Sequence, residues 1–330
     1  MLYVTTREKH DAFTAARTLA GDCGTDGGRF LPYKMPYFSP EEVAALKDRS
    51  FGQTVAEVLN IFFSTRLNSW DVECCIGRFP VKVVNMGQKV LVAECWRNLD
   101  GSYDLLERQL TARICGSTPD MVKLTSWLRI AIRVAVLAAL FGELQRQGIT
   151  EKVDVAVRDG DFTVPMAVWY GRQMGLPVAN IICACSDKSD AWNLLYNGQL
   201  RTQGGVMPEL ERLIYATLGV DEAIRYHAVC AKGDIYTLLP VMLDKLRAGI
   251  FPAVVSDDRV KAAIPNVYRT NSYILETGAA AAYSGLMDYR AKARQSRCAL
   301  LMADSNPADN AGELAFALKI TESKLKELLR

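Results

Sequence analysis

Polar residues that could do chemistry follow three β-rich stretches of the chain, residues 153–157, 178–184 and 298–303. The candidate residues at the ends of these stretches are Asp159, Asp161, Asp187, Asp304, Ser305 and Asn306. In open α/β sheets, ligands bind at the carboxyl ends of the strands, so these side chains could bind a cation or an amine-bearing ligand. The same residues could instead cap helices and hydrogen-bond to one another, and we favour that interpretation.

The sequence offers little for metal or thiol chemistry. His10 and His227 are the only histidines, and neither has a second histidine or a carboxylate cluster at ligand spacing, so we expect no metal site. Cys183 and Cys185 alternate along a predicted strand, which puts both thiols on one face, and we expect them to pack in the core. Nine scattered cysteines indicate free thiols in a reducing cytoplasm.

The composition excludes two classes of partner. With 39 basic and 37 acidic side chains in 330 residues, the net charge is +2, which gives no reason to expect nucleic acid or an anionic membrane.

The longest apolar stretch, residues 134–141, is far shorter than the roughly 20 residues that a membrane span needs. Arg129 and Arg133 lie just before it, and we expect a buried helix there. Charged residues follow Met1 closely, so we expect no signal peptide.

The order of predicted elements indicates an α/β fold. A strand at 153–157, a helix at 162–174 and a strand at 178–184 form a βαβ unit, which predicts a parallel sheet. The patterns also predict helices that begin at Ser39 and Ser50, a helix capped by Thr321, strands at 81–84, 90–93 and 298–303, and helices at about 119–147, 208–218, 234–248 and 277–291. We expect a three-layer sandwich with a mostly parallel sheet.

Three blocks of the chain, in order, resemble the threonine synthase family. They are residues 1–65 with Asp26-Gly-Gly-Arg-Phe-Leu-Pro32, residues 153–198 with Gly175-Leu-Pro177, and residues 276–307 with Glu276-Thr-Gly-Ala279. The resemblance implies the fold-type II scaffold and the conversion of O-phosphohomoserine and water to threonine and phosphate with pyridoxal phosphate. It also implies an N-terminal subdomain at 1–70 and an α/β core at 71–330. Only residues 112–120 stand where the family has its small cofactor domain, which we expect to be absent.

The chain departs from the family pattern where the cofactor would bind. Tyr103 stands at the position of the Schiff-base lysine, and tyrosine cannot form an imine. Gly160, Asp161, Phe162 and Thr163 replace the Gly-Asn-Phe-Gly loop that holds the cofactor phosphate, and carboxylates there would repel a phosphate. Asp304 stands in the segment where the family shows Thr-Ala-His.

These departures predict a threonine synthase-like pseudoenzyme without cofactor or catalytic residue. It would bind a protein partner, a second copy of itself or a small amino-acid-like ligand in the cytoplasm. The alternative is an active pyridoxal phosphate-dependent lyase, threonine synthase itself, that uses a displaced lysine such as Lys89 or Lys123. A further alternative is a cofactor-independent enzyme that uses the acidic cluster with a divalent metal.

Overall fold

The computed structural model describes residues 1–8, 11–76, 81–96, 103–201 and 206–329, so His10 lies outside the described residues. Its strands are β1 (Leu2–Thr5), β2 (Phe13–Thr14), β3 (Phe30–Pro32), β4 (Lys82–Gly87), β5 (Val90–Glu94), β6 (Val153–Arg158), β7 (Val178–Cys185), β8 (Gln199–Leu200), β9 (Tyr236–Thr237), β10 (Ile250–Val254) and β11 (Ala299–Ala303). In the described part of the chain, no helix is long and apolar enough to span a membrane.

The helices surround the strands and include several short ones. They are α1 (Ala15–Ala20), α2 (Pro40–Ala44), α3 (Phe51–Phe63), α4 (Ser69–Ile76), α5 (Tyr103–Cys115), α6 (Ser126–Arg146), α7 (Thr163–Gln173), α8 (Asp190–Trp192), α9 (Pro208–Leu218), α10 (Val220–Ala231), α11 (Pro240–Leu246), α12 (Asp257–Asn271), α13 (Thr277–Ala293), α14 (Ala311–Leu318) and α15 (Glu322–Leu328). A single π-helical turn, Asn193–Asn197, continues α8, and 3-10 turns precede α14 and follow α2.

The central sheet has six strands in the order β10-β7-β6-β11-β5-β4. Neighbouring strands from β10 to β5 run parallel, and β4 pairs antiparallel with β5. The carboxyl ends of five strands therefore meet at one edge of the sheet. A separate three-stranded antiparallel sheet, β2-β1-β3, lies at the N-terminus.

Two apolar layers cover the two faces of the central sheet. Because side chains alternate along a strand, Val155 and Val157 join the layer built around α6 and α7, while Ala156 joins the layer around α12 and α13. The first layer also contains Tyr3 and Val55 from the N-terminal segment. Helix, sheet and helix form the three-layer α/β sandwich that the sequence predicts, so the predicted fold class is confirmed.

Local signals place most element ends. Ser39 and Ser50 each accept a hydrogen bond from the third residue of the helix that follows, as part of capping boxes. The helix predicted at 119–147 begins only at Ser126, and the helix predicted at 234–248 is limited to Pro240–Leu246. Only residues 116–125 separate α5 from α6, so no further domain lies between them. The division at residue 70 stays a prediction.

Candidate functional site

A cavity of about 380 Å³ opens at the carboxyl ends of β6 and β11, and we call it the Asp304 cavity. It lies where the polar residues predicted from the sequence converge. Its charged lining residues are Arg129, Arg133, Arg158, Asp159, Asp161, Glu276 and Asp304. Ser305 also lines it. Four of the six candidate residues, from two separate strand ends, therefore lie around one cavity.

An alternating chain of charges forms one wall of the Asp304 cavity. Glu107 of α5 is buried and accepts hydrogen bonds from Nε of Arg129 and Nε of Arg133, each at 3.0 Å. Arg129 also donates to Asp161 at 2.8 Å, and Arg133 donates to Asp304 at 2.5 Å. Each guanidinium thus bridges two carboxylates, which ties α5, α6, the start of α7 and the end of β11 together.

Burial and neighbouring charges act in opposite directions on the pKa values of the residues in this wall. Desolvation raises the pKa of Glu107, although Arg133 and Arg129 oppose the rise. Burial would lower the pKa of Arg133, but the attraction of Asp304 and Glu107 raises it above its ordinary value. Burial would likewise raise the pKa of Asp161, yet the hydrogen bonds from Thr163 and the charge of Arg129 bring it below the usual range. Arg133 therefore stays charged.

Tyr103, which stands at the predicted lysine position, lies one helical turn before Glu107 in α5. Its side chain is buried, and the guanidinium carbon of Arg133 lies 4.2 Å from the centre of its ring. A cation over an aromatic face is attracted to the ring electrons. Burial raises the pKa of the Tyr103 hydroxyl well above its ordinary value, so this hydroxyl stays protonated. Tyr103 packs against the charged wall as a neutral aromatic residue.

The loop after β6 uses its own carboxylates to satisfy the backbone. Asp159 accepts from the amide of Gly160 at 2.9 Å, and Asp161 accepts from the amide of Thr163 at 3.0 Å. Phe162 between them is buried and has a left-handed backbone with φ of 65°. Both are local bonds from a backbone amide to a nearby side chain, and they take up amides that an incoming anion would need. The N-cap of α7 itself is Phe162, which makes no side-chain capping bond.

Glu276 provides a second titratable group in the Asp304 cavity. It precedes α13 and accepts from the amides of Gly278 and Ala279. Burial raises its pKa to about 7, against the lowering effect of those two bonds, while Asp304 raises it further and Arg158 lowers it. The Glu276 carboxyl therefore exchanges a proton near neutral pH.

Two groups of the cavity are left without a partner among the described residues. Oδ1 of Asp304 is buried and has no hydrogen-bond donor, since only Oδ2 contacts Arg133. The guanidinium of Arg158, at the end of β6, makes no hydrogen bond or ion pair with the residues that the structure describes. A buried acceptor, together with an exposed guanidinium whose charge otherwise acts only on Glu276 among the described residues, is complementary to an ammonium and a carboxylate.

Other candidates lie elsewhere. Asp187 is exposed and does not line the Asp304 cavity, and Asn306 caps the turn at Ala308 with a hydrogen bond of 2.9 Å. Lys89 directly precedes β5, which places it at the opposite edge of the sheet. Lys123 pairs with Asp22 at 3.7 Å. The described residues contain no group of three side chains suited to a metal ion.

The most important residues of the wall were not predicted from the sequence. Glu107 is not among its candidates, and Arg129 and Arg133 serve there only as evidence against a membrane span. One sequence pattern could have indicated them: Arg129 and Arg133 are four residues apart on an otherwise apolar helix and therefore share one face. Charged side chains on a buried face need partners of opposite charge, which would have predicted carboxylates nearby. Arg158 and Glu276 carried no such periodic signal.

Comparisons with known proteins agree with the resemblance. Residues 2–78 match the family described as Threonine synthase N terminus. No curated protein sequence matches the chain. The fold is similar to that of a pyridoxal phosphate-bound threonine synthase from Brucella melitensis, with 16% identity, a TM-score of 0.82, and coverage of 100% of this chain and 94% of that one. Threonine synthase from yeast gives 14% identity, a TM-score of 0.80 and coverage of 99% and 93%.

A third solved structure, threonine synthase from Escherichia coli, has 15% identity and a TM-score of 0.69, with 97% of this chain and 92% of that chain covered. At these identities the likeness establishes the fold. The predicted resemblance to threonine synthases is thereby confirmed by one family match and by the fold.

The expectation that the protein has no cofactor is wrong. A threonine synthase with this fold was solved with pyridoxal phosphate bound, so the fold points to that cofactor. The fit of this cofactor depends on the residues of the Asp304 cavity. Among the described residues, no lysine lines this cavity, Tyr103 packs its ring against Arg133, and the amides of Gly160 and Thr163 already bond to carboxylates. These residues do not fit a covalently held pyridoxal phosphate, and we derive no reaction step through it.

Proposed function

For a chain that has the threonine synthase N-terminal segment and the threonine synthase fold, we propose binding of a small zwitterionic ligand of the amino-acid class. The binding site is the Asp304 cavity. The protein acts through this binding and does not carry out a reaction at the position of Tyr103. The ligand ammonium contacts Asp304, and the ligand carboxylate contacts Arg158.

The observation that carries this proposal is the pair of unpartnered groups in one cavity. Leaving a buried acceptor such as Oδ1 of Asp304 unsatisfied costs roughly 1–3 kcal/mol, more for a charged group, and an ammonium would remove that cost. Arg129 and Arg133 are already neutralised by carboxylates, so they repel the ammonium less and attract the carboxylate less. Arg158 remains as the anchor for the ligand carboxylate.

The size and polarity of the Asp304 cavity support a small, charged ligand. Its volume of about 380 Å³ lies near the lower end of the range for ligand pockets, roughly 300–1,000 Å³. Glu276, with a pKa of about 7, adds a second acceptor for the ammonium when it is ionised. We therefore expect binding to strengthen as the pH rises through 7.

The described residues that line this cavity include no lysine, which supports binding over catalysis. Schiff-base chemistry needs an amine within reach of the cofactor aldehyde, and Tyr103 offers a protonated hydroxyl. The alternative is an active pyridoxal phosphate enzyme, and it is supported by the similar fold of the Brucella melitensis threonine synthase, which was solved with this cofactor bound. It requires another lysine, and Lys89 and Lys123 both lie outside the Asp304 cavity. Reduction with borohydride after addition of pyridoxal phosphate, followed by peptide mapping, would identify such a lysine.

The wider setting belongs to the same proposal. All nine cysteines are free thiols, which supports a reducing compartment such as the cytoplasm. A protein partner or a second copy of the chain remains a prediction.

Isothermal titration calorimetry with a panel of amino acids and phosphoamino acids tests the proposal. The wild-type protein should bind at least one of them saturably, and Asp304→Asn should weaken that affinity at least about tenfold. Asp187→Asn is the matched control, because Asp187 is exposed beside a neighbouring strand and lies outside the cavity. Equal affinity of the two variants, or no binding by the wild-type protein, would refute the assignment.

A further inference from the structure

A second cavity of about 480 Å³ adjoins the Asp304 cavity, and we call it the Glu313 cavity. It lies between the ends of β6, β7 and β10 and the first turns of α12 and α13. The residues that line both cavities are Arg158, Asp159, Gly160 and Thr277. Because the two cavities share these residues, a ligand bound in the first can extend into the second.

The charged residues that line the Glu313 cavity carry more negative than positive charge. They are Arg158, Asp159, Asp257, Lys261 and Glu313. None of the five makes an ion pair with a described residue. Arg158 is the residue that we assign to the ligand carboxylate, so a bound amino acid leaves three carboxylates and one lysine in this cavity. That excess of negative charge favours a positively charged group.

Asp159 is the carboxylate best placed to bind such a group. It is 6% exposed and lines both cavities. Its Oδ1 accepts from the amide of Gly160 at 2.9 Å, whereas its Oδ2 makes no hydrogen bond with a described residue. A carboxylate oxygen without a donor is costly in a buried residue, and a cation beside it removes that cost. Asp257 and Glu313 are exposed, so water and salt screen their charges.

An ammonium suits this position better than a metal ion does. The part of the chain that the structure describes contains no group of three side chains that could hold a metal. An ammonium donates several hydrogen bonds and can be held by one carboxylate together with neutral acceptors. The hydroxyls of Ser186 and Thr277 line the same cavity and make no hydrogen bond with a described residue, so they can accept from it.

From these observations, we propose that the site selects diamino acids, such as free ornithine and free lysine, over neutral amino acids with the same carbon chain. This inference rests on the proposed function, because the α-ammonium and the carboxylate of the ligand stay on Asp304 and Arg158. The side-chain ammonium extends into the Glu313 cavity and binds Oδ2 of Asp159. Asp159 is therefore the residue that determines the specificity.

Calorimetry on the full chain tests this selectivity by comparing free lysine with norleucine, which is lysine without its second amine. The wild-type protein should bind lysine at least about tenfold more tightly, because a hydrogen bond between charged groups contributes that much affinity. Asp159→Asn keeps the shape and an acceptor for the amide of Gly160 but removes the charge, so the preference should fall to within about threefold. Asp187→Asn is the matched control, because it removes an exposed carboxylate that lines neither cavity and should keep the preference.

Three results would overturn the inference. In the first, the wild-type protein binds norleucine as tightly as lysine, which refutes the selectivity and leaves the proposed function intact. In the second, Asp159→Asn and Asp187→Asn show the same preference for lysine. In the third, no amino acid binds to the wild-type protein, which refutes the proposed function together with this inference. A thermal melt of each variant separates a lost contact from a lost fold, and the comparison on the wild-type protein needs no variant.

Discussion

Replacing Glu107 by glutamine should destabilise the protein strongly, because it breaks the charged wall at its centre. The Glu107 side chain is 1% exposed, and its partners Arg129 and Arg133 are 30% and 11% exposed. Removing one partner of a buried ion pair typically costs about 3–5 kcal/mol, since an uncompensated charge is left behind. Here each arginine keeps a second carboxylate, Asp161 or Asp304, which limits the loss.

The burial of Glu107 itself reduces the loss of unfolding free energy that we expect from this substitution. Desolvation raises its pKa in spite of both arginines, so the ionised carboxylate is costly where it lies, and a neutral glutamine recovers part of that cost. We therefore expect Glu107→Gln to lower the free energy of unfolding by about 3 kcal/mol, the lower end of the range.

Urea denaturation monitored by circular dichroism measures this loss. Glu143→Gln is the matched control, because Glu143 pairs with Arg146 at the surface, with side chains 32% and 37% exposed. Such a pair contributes about 0–1 kcal/mol. If Glu107→Gln lowers the stability no more than Glu143→Gln does, the argument that the wall is an interdependent buried network is wrong.

Three further outcomes follow from the same site. The pKa of Glu276 is raised from 4.5 to about 7 in the folded protein, so this residue adds stability that is full below pH 4.5 and disappears as the pH rises through 7. The difference in unfolding free energy between wild type and Glu276→Gln should therefore change by up to about 3 kcal/mol across that window. Denaturation curves at several pH values measure this difference, and a constant difference would contradict the prediction. Tyr103→Lys should lower the free energy of unfolding by about 3 kcal/mol or more, because it puts a second cation beside Arg133 and removes a buried ring. Tyr103→Phe keeps the ring and should lower it by less than about 1 kcal/mol. Urea titrations measure both losses, and equal losses would contradict this prediction. In native protein, Cys74 and Cys115 should react with a thiol reagent before the buried cysteines do, as peptide mapping would reveal, and early labelling of a buried thiol would count against the packing described.

Local chemistry made much of the fold predictable. Ser39 and Ser50 begin helices as their capping boxes require, and short β-rich apolar runs located β6 and β7. The helix Asp257–Asn271 was not predicted, because Pro265 within it and its many polar residues conceal the apolar face. Packing of Ile264 and Val267 against α13 stabilises it, and the sequence does not state that partner.

The candidate site was predictable only in part. Sheet topology brings Asp159, Asp161 and Asp304 together, as the strand ends suggested. Glu107 and Arg133 lie on different helices and 26 residues apart in sequence, and no local pattern encodes their contact. Asp187 lies in the turn after β7 and is exposed, and the pattern of residues in the strand does not specify the path of that turn.

A crystal structure of the protein with the tightest-binding amino acid of the panel would show directly whether Asp304 and Arg158 hold the ligand. We predict ligand density in the Asp304 cavity, with the ammonium within hydrogen-bond distance of Oδ1 of Asp304 and the carboxylate on the guanidinium of Arg158. A ligand bound elsewhere, or held in this cavity without contact to Asp304, would contradict it.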